Sequence, residues 1–295
     1  MPFIRTDDAV DLFYEETGTG VPIVFVHEFA DDYRSYEPQI RFFCRHHRCI
    51  AFNARGYPPS AIPITPEQYS QERAREDILA VLNGLNLEKA HIIGLSMGAF
   101  AALHFGFTYP DRTLSIVIAG CGYGASPDDR GQFAADAEAS AARFERIGMT
   151  RAAEGYATGP TRVQYQRKDP RGWAEFRNRL GEHSAQGSAL TMRGVQKQRP
   201  SLYDLVGEMN RINAPTLIVT GDEDWPCLEA GILMKKSIRT AGLVVVPNTG
   251  HAVNLEEAAE FNQQIARFLH AVEIRRWPER DPRALAPSLL GVPES

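Results

Sequence analysis

The stretch Gly94-Leu95-Ser96-Met97-Gly98 follows the apolar run Ala90–Ile93 and precedes a segment rich in alanine. The apolar run predicts a buried strand, and Met97–Phe107 predicts a helix. A tight turn between strand and helix holds its central residue in a strained backbone conformation, so the residues two positions away on each side must be small. The glycines meet that requirement. The pattern therefore predicts a nucleophile elbow, with the hydroxyl of Ser96 at the carboxyl end of a strand and in front of a helix N-terminus.

Strands and helices alternate on both sides of this turn. The predicted strands are Val10–Tyr14, Pro22–Val26, Arg48–Phe52, Leu114–Ala119, Thr216–Thr220 and Leu243–Val246. The predicted helices of the same regions are Tyr36–Phe43, Gln68–Leu85, Cys227–Ser237 and Val253–Val272. Such alternation predicts βαβ units and therefore an α/β fold, with a mostly parallel twisted sheet flanked by helices.

The alternation stops between residues 126 and 210. This segment has only helical patterns and is far longer than a plain connection between two elements. We therefore expect a core domain built from residues 1–125 and 211–274, with residues 126–210 inserted as a helical lid or cap over an active site. Residues 275–295 contain four prolines and predict an irregular C-terminal tail.

A serine hydroxyl needs a base and a carboxylate to become a nucleophile. His251 follows the strand Leu243–Val246, so it points toward the same sheet edge as Ser96. Asp224 lies furthest beyond the strand Thr216–Thr220 and is the favoured carboxylate, with Asp222 as the alternative. The order Ser, Asp, His along the chain is one of the known orders of this triad.

The sequence resembles the α/β-hydrolase family over roughly residues 8–272, in the branch with a serine nucleophile and a helical lid. The resemblance rests on the elbow and on Val24-Phe25-Val26-His27, Asn53-Ala54-Arg55-Gly56-Tyr57, Ala214–Asp224 and Gly250-His251-Ala252-Val253-Asn254-Leu255-Glu256. It implies that the backbone N–H groups of Phe29 and Met97 form an oxyanion hole. It also implies that neither a metal nor a cofactor is needed.

The chain departs from the family pattern at two positions. Glu28 stands where the family usually has glycine, and Asn53 where it usually has aspartate. A carboxylate at position 28 would oppose an oxyanion unless it points away, so we expect a structural pair with a base such as Arg55, or alternatively a role in substrate binding. Trp225, next to Asp224, is the second candidate substrate-binding residue.

The predicted function is a serine hydrolase that cleaves a small ester, lactone or related carbonyl compound through an acyl-enzyme. The serine argues against haloalkane dehalogenases and epoxide hydrolases, which the resemblance links to an aspartate nucleophile. One alternative is hydrolysis of a C–C bond in aromatic ring-cleavage products with the same triad. Another is a member of the fold that binds a ligand without catalysis.

The amino-acid composition and charge limit the classes of binding partner that we expect for this chain. The 295 residues are 43% hydrophobic and 23% charged, with a net charge of −5, which gives no basic surplus for nucleic acid. The apolar runs fall short of the roughly 20 residues of a membrane helix, and the first residues lack a signal-peptide pattern, so we expect a cytoplasmic protein without a membrane partner. The segment 126–210 is mildly basic, with 13 Lys/Arg and 11 Asp/Glu, which suggests an anionic small-molecule substrate. The aromatic residues Phe29 and Trp225 near the predicted site suggest an apolar pocket and hence an aromatic substrate as the other possibility. The oligomeric state stays open, with a homodimer as one possibility.

Overall fold

A computed structural model describes residues 2–285. Over this range an eight-stranded sheet forms the centre, in the order β1-β2-β4-β3-β5-β6-β7-β8. The strands are β1 (Phe3–Arg5), β2 (Asp11–Thr17), β3 (Val21–Val26), β4 (His47–Phe52), β5 (Ala90–Leu95), β6 (Thr113–Ala119), β7 (Thr216–Gly221) and β8 (Ala241–Val246). β2 pairs antiparallel with β1 and β4, and the other neighbouring strands pair parallel.

Helices cover both faces of the sheet. They are α1 (Glu37–Phe43), α2 (Gln71–Gly84), α3 (Met97–Thr108), α4 (Arg130–Tyr156), α5 (Val163–Lys168), α6 (Pro170–Gly181), α7 (Ala185–Thr191), α8 (Val206–Met209), α9 (Trp225–Ser237), α10 (Val253–Glu256) and α11 (Ala258–Glu273). Along β3, Val24 and Val26 pack into the apolar cluster beneath α2, α3 and α9. Ile23 and Phe25 pack on the opposite face, beneath α1 and α11. Burial of both faces explains why the strand reads as one apolar run.

The segment between β6 and β7 is helical. Residues 126–210 are all described, and they contain α4 to α8 and a π-helical turn at Met192–Gln196, with no strand among them. Gly148 has φ +74° and ψ 163°, which bends α4 at the break predicted between two helical stretches. Phe144 of α4 and Phe176 of α6 share an apolar cluster with Phe29 and Met97. The segment therefore packs over the loops that follow β3 and β5.

The C-terminal helix region differs from its predicted form. The pattern Val253–Val272 predicts one helix, but the backbone leaves helical geometry at Glu257, with φ −129° and ψ 54°, and separates α10 from α11. Beyond α11, Trp277 packs on Phe268 with ring centroids 4.7 Å apart and donates a hydrogen bond to the Thr240 carbonyl. The last ten residues of the predicted tail lie outside the described range.

None of the helices within residues 2–285 combines the length and apolar character needed to span a bilayer.

Candidate active site

Ser96 occupies a strained turn between β5 and α3. Its backbone has φ 53° and ψ −113°, a conformation that L-residues rarely adopt. Its N–H donates to the Ala119 carbonyl at 2.8 Å, which ties the turn to β6. A Cβ atom at Gly94 would lie 2.2 Å from the Gly98 carbonyl oxygen, and one at Gly98 would lie 2.0 Å from the Val26 carbonyl oxygen. Both glycines are therefore required by the close approach of backbone to backbone.

Asp224 and His251 form a buried pair. The Nδ1 atom of His251 lies 2.7 Å from Oδ2 of Asp224, and both side chains are buried. Burial alone would raise the pKa of Asp224, but the charge of His251 and the hydrogen bond to it outweigh burial and hold that pKa below its ordinary value. Asp224 is therefore an ionised partner that keeps the Nδ1 proton in place. The alternative, Asp222, instead accepts the Thr249 N–H at 3.1 Å and holds the loop before His251.

Cys227 lies in the same cluster. Asp224, Cys227 and His251 each offer one atom that could bind a metal ion, and these three atoms lie within 4.8 Å of one another. Burial raises the pKa of the Cys227 thiol well above its ordinary value, so the sulfur is held as a thiol. Metals bind the thiolate, and we assign no metal to this cluster.

Ser96 and His251 line one cavity of about 330 Å³. Its wall is formed by the loop after β3, the loop after β6, and residues from α4 and from the segment that follows it. The lining includes Phe29, Tyr123, Phe133, Asp136, Ser140, Tyr156, Thr161, Arg162, Met192 and Gln196. The nucleophile candidate and the base candidate thus line the same cavity, together with the predicted oxyanion residue Phe29.

His27 orients the peptide that carries the Phe29 N–H. The Ala54 N–H donates to Nε2 of His27 at 3.0 Å, so the ring proton is on Nδ1, which donates to the Glu28 carbonyl at 2.6 Å. The 28–29 peptide is trans, so its N–H points away from that carbonyl. In the described chain, neither the Phe29 N–H nor the Met97 N–H donates to another protein group. Two backbone donors are thereby available beside Ser96.

Glu28 pairs with Arg162, not with Arg55. The Arg162 guanidinium donates to both carboxylate oxygens of Glu28, with Nη1 to Oε1 at 2.8 Å and Nη2 to Oε2 in the second bond. The suggestion that Arg55 is the partner is wrong, because Asp8 and Asp77 already hold its guanidinium. Glu28 is also absent from the residues with positive φ, so the lost glycine causes no backbone strain.

The turn that carries Arg162 also contacts the catalytic-base candidate. Pro160–Arg162 forms a single 3-10 turn after α4, and the Thr161 carbonyl accepts the His251 N–H at 3.0 Å. Oε2 of Glu28 lies 4.0 Å from Nε2 of His251. Sequence reasoning missed Arg162, since the Gly159-Pro160 break signalled only the end of a helix and nothing marked this arginine among the others nearby.

Trp225 lies away from Ser96. Its side chain is 70% exposed and lines a neighbouring cavity of about 450 Å³. That cavity shares Tyr123, Phe133 and Asp136 with the cavity of Ser96, so the two adjoin. The two cavities therefore form one longer cleft, and Trp225 lies in the part that is further from Ser96. Glu28 does not line the cavity of Ser96 but lies behind its wall.

Comparison with known proteins agrees with this architecture. A family model described as "alpha/beta hydrolase fold" matches residues 21–258. The chain is 26% identical over 255 residues to 3-oxoadipate enol-lactonase 1 of Acinetobacter baylyi, covering 85% of this chain and 89% of that protein. It is 27% identical to 2-hydroxy-6-oxo-6-phenylhexa-2,4-dienoate hydrolase of Comamonas testosteroni, covering 88% and 91%. The structure of a thermophilic esterase from Thermogutta terrifontis superposes with a TM-score of 0.80 at 26% identity, covering 92% and 98%. These matches confirm the predicted fold class and the predicted hydrolase class.

Proposed function

Because the chain belongs to the α/β-hydrolase family and is a hydrolase, we propose that it cleaves a small carboxylic ester or lactone through Ser96, His251 and Asp224. One observation carries this proposal. Ser96, in its strained turn, and His251, whose Nδ1 is paired with buried Asp224, line the same cavity. That combination supplies the nucleophile, the base and the orienting carboxylate that acyl transfer by a serine uses.

In the proposed mechanism, Nε2 of His251 takes the proton of the Ser96 hydroxyl as its oxygen attacks the substrate carbonyl. Asp224 keeps the other ring proton on Nδ1 and stabilises the imidazolium that forms. The N–H groups of Phe29 and Met97 donate to the oxyanion, and the helix N-terminus of α3 adds to that stabilisation. Collapse of the intermediate breaks the bond from the carbonyl carbon to the leaving oxygen, and His251 gives its proton to that oxygen, which releases the alcohol. Water then attacks the acyl-enzyme with His251, neutral again, as the base, and the proton passes back to the Ser96 oxygen as the acid leaves.

The segment 126–210 is proposed to act as the lid. Tyr156, Arg162, Met192 and Gln196, which belong to it, line the cavity of Ser96. They enclose the acyl group and exclude water from the Ser96 face of the cavity. The predicted cytoplasmic location and the possible homodimer stay predictions.

The choice of carbonyl substrate follows from the relatives and the cavity. Names of two proteins similar to this chain specify an enol-lactonase and an esterase, which supports ester or lactone cleavage. The dienoate hydrolase of Comamonas testosteroni supports C–C hydrolysis as the second candidate, since the same triad would serve. A ligand-binding protein without catalysis is no longer supported, because the chain belongs to the α/β-hydrolase family and is similar to an enol-lactonase, a dienoate hydrolase and an esterase.

A substrate panel tests the proposal. Purified protein is assayed with p-nitrophenyl esters of short acyl chains, with γ- and δ-lactones, and with a vinylogous 1,5-diketone acid. We expect turnover of esters or lactones, loss of that turnover in Ser96→Ala, and retention in Ser140→Ala, which alters a different hydroxyl of the same cavity. Turnover of the diketone alone would favour the second candidate, and turnover retained by Ser96→Ala would overturn the proposal.

A further inference from the structure

Arg162 is the one guanidinium or ammonium group among the described residues that line the cavity of Ser96. It is the natural recognition element for a substrate carboxylate, yet Glu28 already binds it. Resting on the proposed serine hydrolase function, we propose that Glu28 is a specificity-determining residue. Its carboxylate occupies Arg162 as an internal anion, so the site selects substrates whose acyl group is uncharged.

The geometry of the pair is that of an occupied carboxylate site. Both guanidinium nitrogens donate to the two oxygens of Glu28, which is the fork-to-fork geometry that arginine uses to recognise free carboxylates. The guanidinium also stacks over the ring of Phe176 at 4.9 Å, so its orientation is fixed from a second side. A substrate carboxylate would find this two-point fork of Arg162 occupied and its positive charge neutralised by Glu28.

Displacing Glu28 from Arg162 would be unfavourable. The side chains of Glu28 and Arg162 are only 1% and 3% exposed, so a displaced Glu28 would stay buried without a partner. Glu28 does not leave Arg162 by becoming protonated either, because the positive charge of Arg162 outweighs the effect of burial and holds the pKa of Glu28 below its ordinary value. An anionic acyl group would also bring a third negative charge beside Glu28 and Asp224, which flank the two ring nitrogens of His251.

Glu28 and Arg162 together carry no net charge, so the pair does not disfavour substrates whose acyl group is neutral. The two opposite charges cancel next to the reacting serine, so Glu28 does not oppose the oxyanion as an isolated carboxylate would. The proposal thus explains how the chain tolerates glutamate where the family usually has glycine. It also replaces the anionic substrate suggested by the basic surplus of residues 126–210 with a neutral one.

A pair of matched substrates tests the selection. p-Nitrophenyl butyrate and mono-p-nitrophenyl succinate have the same acyl length and differ by a terminal methyl or carboxylate. We expect Glu28→Gln and Glu28→Gly to raise the ratio of kcat/KM for the succinate ester over the butyrate ester by about tenfold or more, equivalent to about 1.4 kcal/mol. Adding Arg162→Gln to either variant should return the ratio to the wild-type value. Asp129→Asn, which removes a negative charge from the neighbouring cavity and not from the lining of the Ser96 cavity, serves as the control and should change the ratio much less.

A binding measurement separates this inference from the proposed function. Acetate at constant ionic strength should raise the melting temperature of Glu28→Gly, which vacates the carboxylate site, more than chloride does. It should do so neither in wild type nor in the Glu28→Gly/Arg162→Gln double variant. Ser96-independent turnover would defeat the proposed function and leave this binding result standing. Ser96-dependent turnover with an unchanged substrate ratio in Glu28→Gln, or no acetate effect on a folded Glu28→Gly, would overturn the specificity role.

Discussion

Replacing Asp224 with asparagine removes one negative charge and almost no volume from the proposed active site. The carboxylate oxygen is 2.7 Å from Nδ1 of His251 and the residue is fully buried, so water cannot take its place. The asparagine amide can donate to Nδ1, which leaves the ring proton on Nε2, and that nitrogen can then no longer accept the proton of Ser96. In a Ser-His-Asp triad this change lowers kcat by roughly 10⁴-fold, or about 5.5 kcal/mol in the activation free energy.

The assay is steady-state hydrolysis of the best p-nitrophenyl ester, with thermal melting to show that each variant is folded. Asp222→Asn is the matched control, because it makes the same change two residues away and keeps an oxygen to accept the Thr249 N–H. We expect a small effect on kcat from Asp222→Asn. A folded Asp224→Asn variant with kcat close to the wild-type value, or a larger loss in Asp222→Asn, would refute the assignment.

Three stability predictions test the fold around this site. Arg55→Gln leaves the 1%-exposed carboxylate of Asp77 without its arginine, and it should lower the free energy of unfolding by about 3–5 kcal/mol in a denaturant titration. Gly148→Ala forces alanine into φ +74° and ψ 163°, a region essentially restricted to glycine, and should cost about 1–3 kcal/mol, whereas Gly131→Ala, in open helical space, should be neutral or stabilising in the same assay. His91, with Nε2 at 3.6 Å from Oε1 of Glu273, and His47, hydrogen-bonded to the same oxygen at 2.8 Å, together lower the pKa of Glu273 to about 2. The stability it adds is therefore present above its ordinary pKa of 4.5 and is lost as the pH falls toward 2. Glu273→Gln should lower the melting temperature at neutral pH and flatten that acid decline.

Local sequence was enough to predict the parts of the site that depend on backbone geometry. The turn at Ser96 requires small residues at fixed spacing, and the central strands are buried on both faces, so each leaves a direct mark in the sequence. Asp224 follows the fully buried strand β7, and His251 follows the edge strand β8. Their side chains meet because parallel strands end at the same edge of the sheet. The alternation of strands and helices in the sequence already predicted that parallel arrangement.

The contacts of the lid could not be predicted in the same way. Arg162 is 134 positions from Glu28 in the chain, and its place depends on how several short helices pack. The same limit explains the break between α10 and α11. Next to that break, the carboxylate of Glu256 accepts the Gly250 N–H at 2.9 Å and so holds the loop of His251, a contact that helical periodicity alone does not predict.

Arg55 shows why proximity along one sheet edge did not identify the partner of Glu28. It lies in the loop after β4, as the sequence indicated, but its guanidinium points to Asp8 and to Asp77 of α2. Two carboxylates already satisfy it. The partner of a buried charge is set by the full count of nearby donors and acceptors, which a single sequence does not reveal.

Covalent trapping tests directly whether Ser96 is the nucleophile. The protein is treated with an alkyl fluorophosphonate, and its intact mass and peptide map are measured beside those of Ser96→Ala and Ser140→Ala. We expect one phosphonyl adduct, on the peptide that contains Ser96, in wild type and in Ser140→Ala, and no adduct in Ser96→Ala. An adduct of equal yield in Ser96→Ala, or one located on another residue of wild type, would contradict it.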